Sequence, residues 1–322
     1  MNYDKFHVIV PISNPVNYES RYRNFEIFKE SLLRKGVHVW VVEMQTGART
    51  HRATELPNEH HVCLWQTAVE GEVWHKEQLI NIGFNRAIEL YPDCRYLMWT
   101  DADLLFENDM LEKTIQALQH WSVVQAWSHI VSLDAKGHVA NVFKSFVYLK
   151  HNPQDAKSTH PGYPPRVGSP GGAWAFRREI LNQIGSAISG PICDFGICGS
   201  GDLYFARSVY GEIEASCHKK FHPNYNKWLR QYQENTDWIV QRNVGYVSNT
   251  ARHLFHGPHE QRGYDWRNNI LKNWQFDPET DLTRDAHGLW RLVIKCLRQM
   301  NMRDDLRVFF RHRNEDTLLT KQ

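Results

Sequence analysis

Arg95-Tyr96-Leu97-Met98-Trp99-Thr100-Asp101-Ala102-Asp103 joins a short apolar run to two carboxylates at alternate positions. Such a run, with no polar alternation, suits a strand of a parallel sheet covered on both faces. Acidic residues just past the carboxyl end of that strand lie where doubly wound sheets bind their ligands. Asp-x-Asp alone is a weak signal, since about one chance occurrence is expected in a chain of this kind, and its ordinary reading is a solvated turn. The surrounding sequence has to decide between the two.

Upstream, His7-Val8-Ile9-Val10-Pro11-Ile12 predicts a strand, and Ser13-Asn14-Pro15-Val16-Asn17 a polar loop. Tyr22, Phe25, Phe28 and Leu32 recur at helical spacing over 20–34. Gly36 then stops the helix before a second strand at 37–42. This strand-helix-strand unit fits a right-handed crossover. A strand at 61–64 and a helix at 76–90 precede the acidic pair. Beyond it the pattern predicts a helix at 110–120 and strands at 123–127 and 143–149. The Pro-, Gly-, Ser- and His-rich segment 151–172 reads as a mobile loop. A helix-like stretch starts at Trp174, a glycine-rich turn at 196–202 opens a helix at 203–209, and His253 to Pro258 end a strand-like segment. After residue 277, Leu289, Leu292, Val293, Cys296, Leu297 and Met300 form one stripe, read as a helical appendage.

The whole is a soluble, enzyme-sized chain of 322 residues, 42% hydrophobic and 23% charged, which excludes a disordered tail or a fibre. Its length exceeds the roughly 250–300 residues at which single cores stop growing, so two ordinary domains or one large α/β domain with an appendage are expected. Lys plus Arg (38) nearly balances Asp plus Glu (36), so the global charge implies no polyanionic partner. No apolar run reaches the roughly 20 residues of a membrane span, and Met1 to Phe6 lead straight into a strand without a signal segment. The six cysteines are scattered without CxxC pairs, as expected of reduced thiols in a cytoplasmic protein. Cys193 and Cys198 read as packing residues.

Taken with Trp74-His75-Lys76-Glu77-Gln78-Leu79-Ile80-Asn81-Ile82-Gly83, the strand and acidic pair resemble nucleotide-sugar glycosyltransferases of the GT-A fold, including family 2-like members. Pro170-Gly171-Gly172-Ala173-Trp174-Ala175-Phe176-Arg177-Arg178-Glu179, Gly199-Ser200-Gly201-Asp202 and His253-x-x-His256 resemble, in the same order, segments of the β-1,4-galactosyltransferase type. Cys198 and Gly201 stand where that type commonly carries Trp and a second acidic residue. The resemblance spans about residues 7–270. It implies a Rossmann-like mixed sheet flanked by helices over 1–276, with a nucleotide-sugar-binding half (1–105) and an acceptor half (106–276), followed by a helical extension at 277–322.

On that resemblance, Asp103, His253 and His256 are the expected ligands of Mn²⁺ or Mg²⁺, with Asp101 on a metal-bound water or the donor ribose. Pro11, Ser13, Asn14, Arg23, Glu43 and Lys76 are expected at the donor, and Gly171, Gly172, Trp174 and Gly201 at the acceptor. Asp202 is the expected general base, which implies inversion. Plainer roles exist for several of these: an Asx-turn for Asn14, a solvated charge for Arg23, a helix cap for Asp202, a core position for Trp174. The activity implied is transfer of sugar from a nucleotide diphosphate donor, with a uridine diphosphate sugar expected, to a hydroxyl of a glycan, a lipid-linked glycan or a modified DNA base. Two other functions fit parts of the pattern: a metal-dependent phosphoesterase and a non-catalytic sugar-binding module. The arginines after Leu289 fit contact with nucleic acid or an anionic membrane. The preferred reading of that helix is a solvated amphipathic one packed on the catalytic domain.

Overall fold

The computed structural model describes residues 3–53, 56, 60–156 and 167–317. Strand β1 (Phe6–Ser13), helix α1 (Glu19–Leu33), β2 (His38–Thr46), β3 (His61–Gln66), α2 (Lys76–Leu90) and β4 (Tyr96–Thr100) follow the expected alternation. These four strands lie in the order β3-β2-β1-β4, all parallel, the arrangement of one half of a doubly wound sheet.

The chain then leaves this sheet. Short β5 (Leu104–Phe106) enters a second one, and α3 (Met110–His120) leads into β6 (Val123–Gln125), which rejoins the first. Next come β7 (His129–Leu133), β8 (Val139–Lys144) and α4 (Phe146–His151). Strand β9 (Ala173–Arg177) inserts antiparallel between β4 and β6 and makes the main sheet mixed. Helices α5 (Arg178–Leu181), α6 (Gly201–Ser208) and α7 (Pro223–Val240) precede β10 (Val244–Tyr246), which completes the order β10-β6-β9-β4-β1-β2-β3. Strand β11 (Thr250–His253) joins the second sheet, whose order is β5-β11-β7-β8. The result is the α/β class expected, a mixed sheet with helices on both faces.

Period-two alternation divides the core between the faces. Ile9, Leu97, Trp99, Trp174 and Phe176 pack with α2 and α6, whereas Val8, Val10, Met98, Ala173 and Ala175 pack with α1 and α3. The same alternation corrects the helix expected from Trp174, because small and aromatic residues take turns along β9 and only 178–181 is helical. Residues 143–149 are likewise not one strand. Lys144 ends β8, and the Ser145 hydroxyl accepts from the Tyr148 amide at 3.0 Å, capping α4. The loop expected at 151–172 falls partly on 157–166, outside the described residues.

Beyond residue 277 the chain is helical only in part. α8 (Asn268–Asn273) and α9 (Pro278–Asp281) are followed by a hairpin of β12 (Leu282–Arg284) and β13 (Trp290–Leu292), and then by α10 (Leu297–His312). The expected apolar stripe does not form. Leu289 and Leu292 are buried in the hairpin, whereas Leu297 is 70% exposed. The Asp285 carboxylate accepts from the His287 and Leu289 amides, and Gly288 takes φ +80°, so the chain turns back there. Among the described residues no helix is long and apolar enough to cross a membrane.

The C-terminal segment closes against the beginning of the chain. The Asp316 carboxylate accepts from the Glu19 and Ser20 amides, both at 2.8 Å, an anion at the positive end of α1. Tyr18 donates to the carbonyls of Phe310 and Arg311, and Arg307 pairs with Glu72. The basic tail is largely spent inside the protein: Arg291 on Glu70, Arg298 on Asp281, Arg303 on Asp304 and Arg313 on Glu315.

Candidate active site

A cleft opens at the carboxyl ends of β1 and β4, where the strand order reverses. Asp101-Ala102-Asp103 is the junction through which the chain passes from the first sheet to the second, and each side of the junction is fixed by pairing. On the β4 side, Thr100 registers with Ala173, and the Asp101 amide donates to the Gly172 carbonyl at 2.8 Å, bringing the glycine pair beside the first carboxylate. On the β5 side, Leu104 registers with His253, and the Leu254 amide donates to the Asp103 carbonyl at 2.8 Å. Strand pairing therefore carries the two histidines, about 150 residues later in sequence, to the second carboxylate.

His256 Nε2 lies 3.0 Å from Asp103 Oδ2, and His253 Nε2 lies 3.5 Å from Asp103 Oδ1. The two Nε2 atoms are 3.2 Å apart, so they cannot both carry a proton toward each other. Burial pushes His253 below its ordinary value, against the pull of Asp103. Burial alone would raise Asp103, but the facing histidines outweigh it and hold the carboxyl ionised. Asp103 Oδ1 is buried without a hydrogen-bond partner. A carboxylate oxygen and two imidazole nitrogens, all within 4.8 Å of one another, form a donor set that could hold a metal ion. Glu315 Oε2 stands 3.6 Å behind His256 Nδ1.

Asp101 is not among the three clustered ligand atoms. Lys76, the first residue of α2, draws it away at 2.6 Å. Burial would lower the ammonium pKa, but Asp101 and Asp202 outweigh burial and keep Lys76 charged. Lys76 also stands 3.9 Å from Asp202 Oδ2 and 4.6 Å from the centre of the Trp99 ring. Asp202 lies in the first turn of α6, where its Oδ1 accepts from the Leu203 amide at 2.8 Å, and its Oδ2 faces Gly171. A Cβ at Gly171 would come within 2.6 Å of that oxygen, and Gly172 takes φ +90° with Trp127 against it, so this close approach requires glycine.

Pro11, Ser13, Lys76, Asp101, Asp103, Gly171, Gly172, Asp202, His253 and His256 all line the cleft. Five expected site residues do not. Asn14 is buried, donating to the Tyr18 carbonyl and accepting from the Tyr18 amide, so it shapes the loop. Arg23 is exposed on the outer face of α1, while Arg21 and Asn24 face the cleft. Glu43 is a core acceptor. Burial would raise it, but His61, the Ala53 and Arg52 amides and Gln45 hold it at about 2. Trp174 is fully buried, donating to the Pro170 carbonyl and packing edge-on to Phe205 at 5.0 Å. Gly201 abuts the Cys193 carbonyl and Glu77, which explains the glycine without an acceptor.

Other residues enter the cleft without having been singled out by sequence. Glu77 is buried beside Lys76, and burial raises its pKa against the pull of Lys76 and with a push from Asp202. Its place next to Lys76 at the start of α2 was the available signal. Trp74, which opens the run 74–83, lines the cleft with Arg262, Arg267 and Arg313, and no motif gave these three arginines a place there. All six cysteines are free thiols, with Cys193 and Cys198 buried in the core.

No family model and no curated protein matches this chain. Among solved structures it is similar to a glycosyltransferase involved in the glycosylation of the major capsid of PBCV-1, at 9% identity over 76% of this chain and 81% of that chain, TM-score 0.31. It is similar to a mutant Drosophila β-1,4-galactosyltransferase 7 in complex with manganese, UDP-Gal and xylobiose, at 14% identity over 81% and 98%, TM-score 0.33. It is also similar to the inositol-1-phosphate CTP transferase from T. maritima, at 8% identity over 56% and 73%, TM-score 0.30. These are distant likenesses of layout, and the chemistry of the cleft is read from its own residues.

Proposed function

We propose that this chain is a metal-dependent glycosyltransferase of the GT-A type, moving a sugar with inversion from a nucleotide diphosphate donor, a uridine diphosphate sugar, to a hydroxyl acceptor in the cytoplasm. The observation that carries the reading is the convergence of Asp103, His253 and His256 in the cleft that also holds Lys76 and Asp202. The trio would hold Mn²⁺ or Mg²⁺, and when bound such an ion neutralises charge on a leaving diphosphate.

The chain's own groups supply the rest. Asp202 Oδ2 accepts the proton of the acceptor hydroxyl as the new bond to the sugar's anomeric carbon forms and the bond to the diphosphate oxygen breaks. The Leu203 amide fixes the other oxygen of the same carboxylate, so the base has one orientation. Lys76 stands between Asp101 and Asp202 and offsets their mutual repulsion. Gly171 leaves the space that an acceptor needs beside Asp202 Oδ2. The acceptor is a glycan, a lipid-linked glycan or a modified base.

Melting the protein against a panel of nucleotide sugars, each with Mn²⁺ or with chelator, tests the reading. A UDP-sugar at about 100 times its Kd adds about 2.7 kcal/mol of stability, and this gain should vanish in chelator. Stabilisation by no nucleotide sugar, or full transfer activity in chelator, would overturn it.

A further inference from the structure

Arg262 ends the turn His259–Arg262 and lines the cleft, yet it is only 9% exposed. Its guanidinium has no hydrogen-bond or carboxylate partner among the described residues, and its Nε is buried without an acceptor. Its charge nevertheless acts on His253 of the metal trio. Arg313 reaches the same cleft from the C-terminal segment and is 4% exposed. It donates from Nε to Glu315 at 2.7 Å and lies over the Trp74 ring at 5.3 Å, while its Nη1 is buried and unspent.

A guanidinium cannot lose its proton in a protein, and burying one with idle donors is costly unless an anion meets it. The cleft's own carboxylates are engaged elsewhere. Asp101 is held by Lys76, which also stands 3.9 Å from Asp202, Asp103 by the histidines, and Glu77 is packed against Gly201; Glu315, behind the cleft, meets only one edge of Arg313 and is shared with Arg21. The complement must come with a ligand, and the planar fork of arginine matches phosphate oxygens. We propose that Arg262 and Arg313 form an oxyanion subsite that grips a phosphate group of the ligand in the same cleft as the metal trio and without the metal's help. The phosphate is the distal one of the nucleotide diphosphate or one carried by the acceptor. That assignment of source rests on the glycosyltransferase reading, whereas the subsite does not.

Calorimetric titration of the full chain with inorganic pyrophosphate in chelator tests the subsite. Titrations with UDP and UMP in Mn²⁺ identify the source. The proteins are wild type, Arg262→Gln, Arg262→Lys and Arg313→Gln. Pyrophosphate should bind the wild type, weaken about ten- to hundredfold in both Gln variants, and fall between in Arg262→Lys, which keeps charge but not the fork. Weakening of UDP but not UMP assigns the donor's distal phosphate. Unchanged UDP and UMP with weakened pyrophosphate assigns an acceptor phosphate. Absence of UDP binding in every protein, with pyrophosphate binding still dependent on Arg262, sinks the glycosyltransferase reading and leaves the subsite standing. Pyrophosphate that fails to bind, or binds all four proteins equally, overturns the subsite whatever UDP does.

Discussion

Replacing Glu315 with Gln removes one negative charge from the place where the C-terminal segment meets α1. The carboxylate is fully buried and accepts from Arg21 Nε at 2.7 Å, Arg21 Nη2 at 2.8 Å and Arg313 Nε at 2.7 Å. A neutral amide preserves the volume but leaves two cations with no counter-charge. Breaking a buried pair in this way costs about 3–5 kcal/mol. At about 2.1 cal/mol/K of unfolding entropy per residue, 322 residues give about 0.7 kcal/mol/K, so Tm should fall by about 4–7 °C. Calorimetry or circular dichroism at neutral pH without added metal reads this directly, because no ligand then contributes. Manganese affinity should fall too, since Glu315 backs His256 at 3.6 Å. A drop below about 1 °C would refute the claim that this carboxylate holds the cleft wall, because the cost of unpairing would then be missing.

Further outcomes follow from the same geometry. Asp202→Asn should lower transfer about 10²- to 10⁴-fold while leaving Mn²⁺-dependent donor binding intact by calorimetry; near-normal turnover would remove Asp202 as the base. Gly171→Ala should push the Asp202 carboxylate aside and reduce kcat at unchanged fold, checked by kinetics alongside a melt. Glu43 has a folded pKa of about 2 against an ordinary 4.5, so its stabilisation is complete above about pH 4.5 and is lost as pH falls toward 2. That contribution is on the order of 3 kcal/mol, so Glu43→Gln should be less stable than wild type at pH 7 and should lose less on acidification, as read by denaturant titrations at several pH values.

The convergence of Asp103, His253 and His256 was legible in sequence because Asp103 follows a buried strand and the histidines end another, and strand ends are where such sheets place ligands. What sequence could not supply was the outer face of each element. Helical spacing sets Arg21 and Asn24 apart from Arg23, but only the C-terminal segment, packed against α1, decides which of them meets the cleft. Glu43 has the look of a ligand residue at a strand end, yet Gln45, His61 and two backbone amides absorb it. The β9 strand and the hairpin at 282–292 were readable from the alternation Ala-Trp-Ala-Phe and from Asp285 and Gly288 in a turn, and helical spacing nearby masked both. Arg262 and Arg313 left no local signature, since their isolation is a property of the packed cleft.

The clasp between Asp316 and the first turn of α1 joins residues 297 and 296 positions apart. Closing so long a loop carries an entropic penalty, so the wall behind His256 is expected to assemble late, which pulse-labelled hydrogen exchange during refolding would read as late protection of the Glu19 and Ser20 amides. A nascent chain can complete its central sheet while Arg21 still lacks its counter-charge. On the proposed reading, ion uptake would then report the end of folding rather than its beginning, since a half-made molecule would lack a finished pocket.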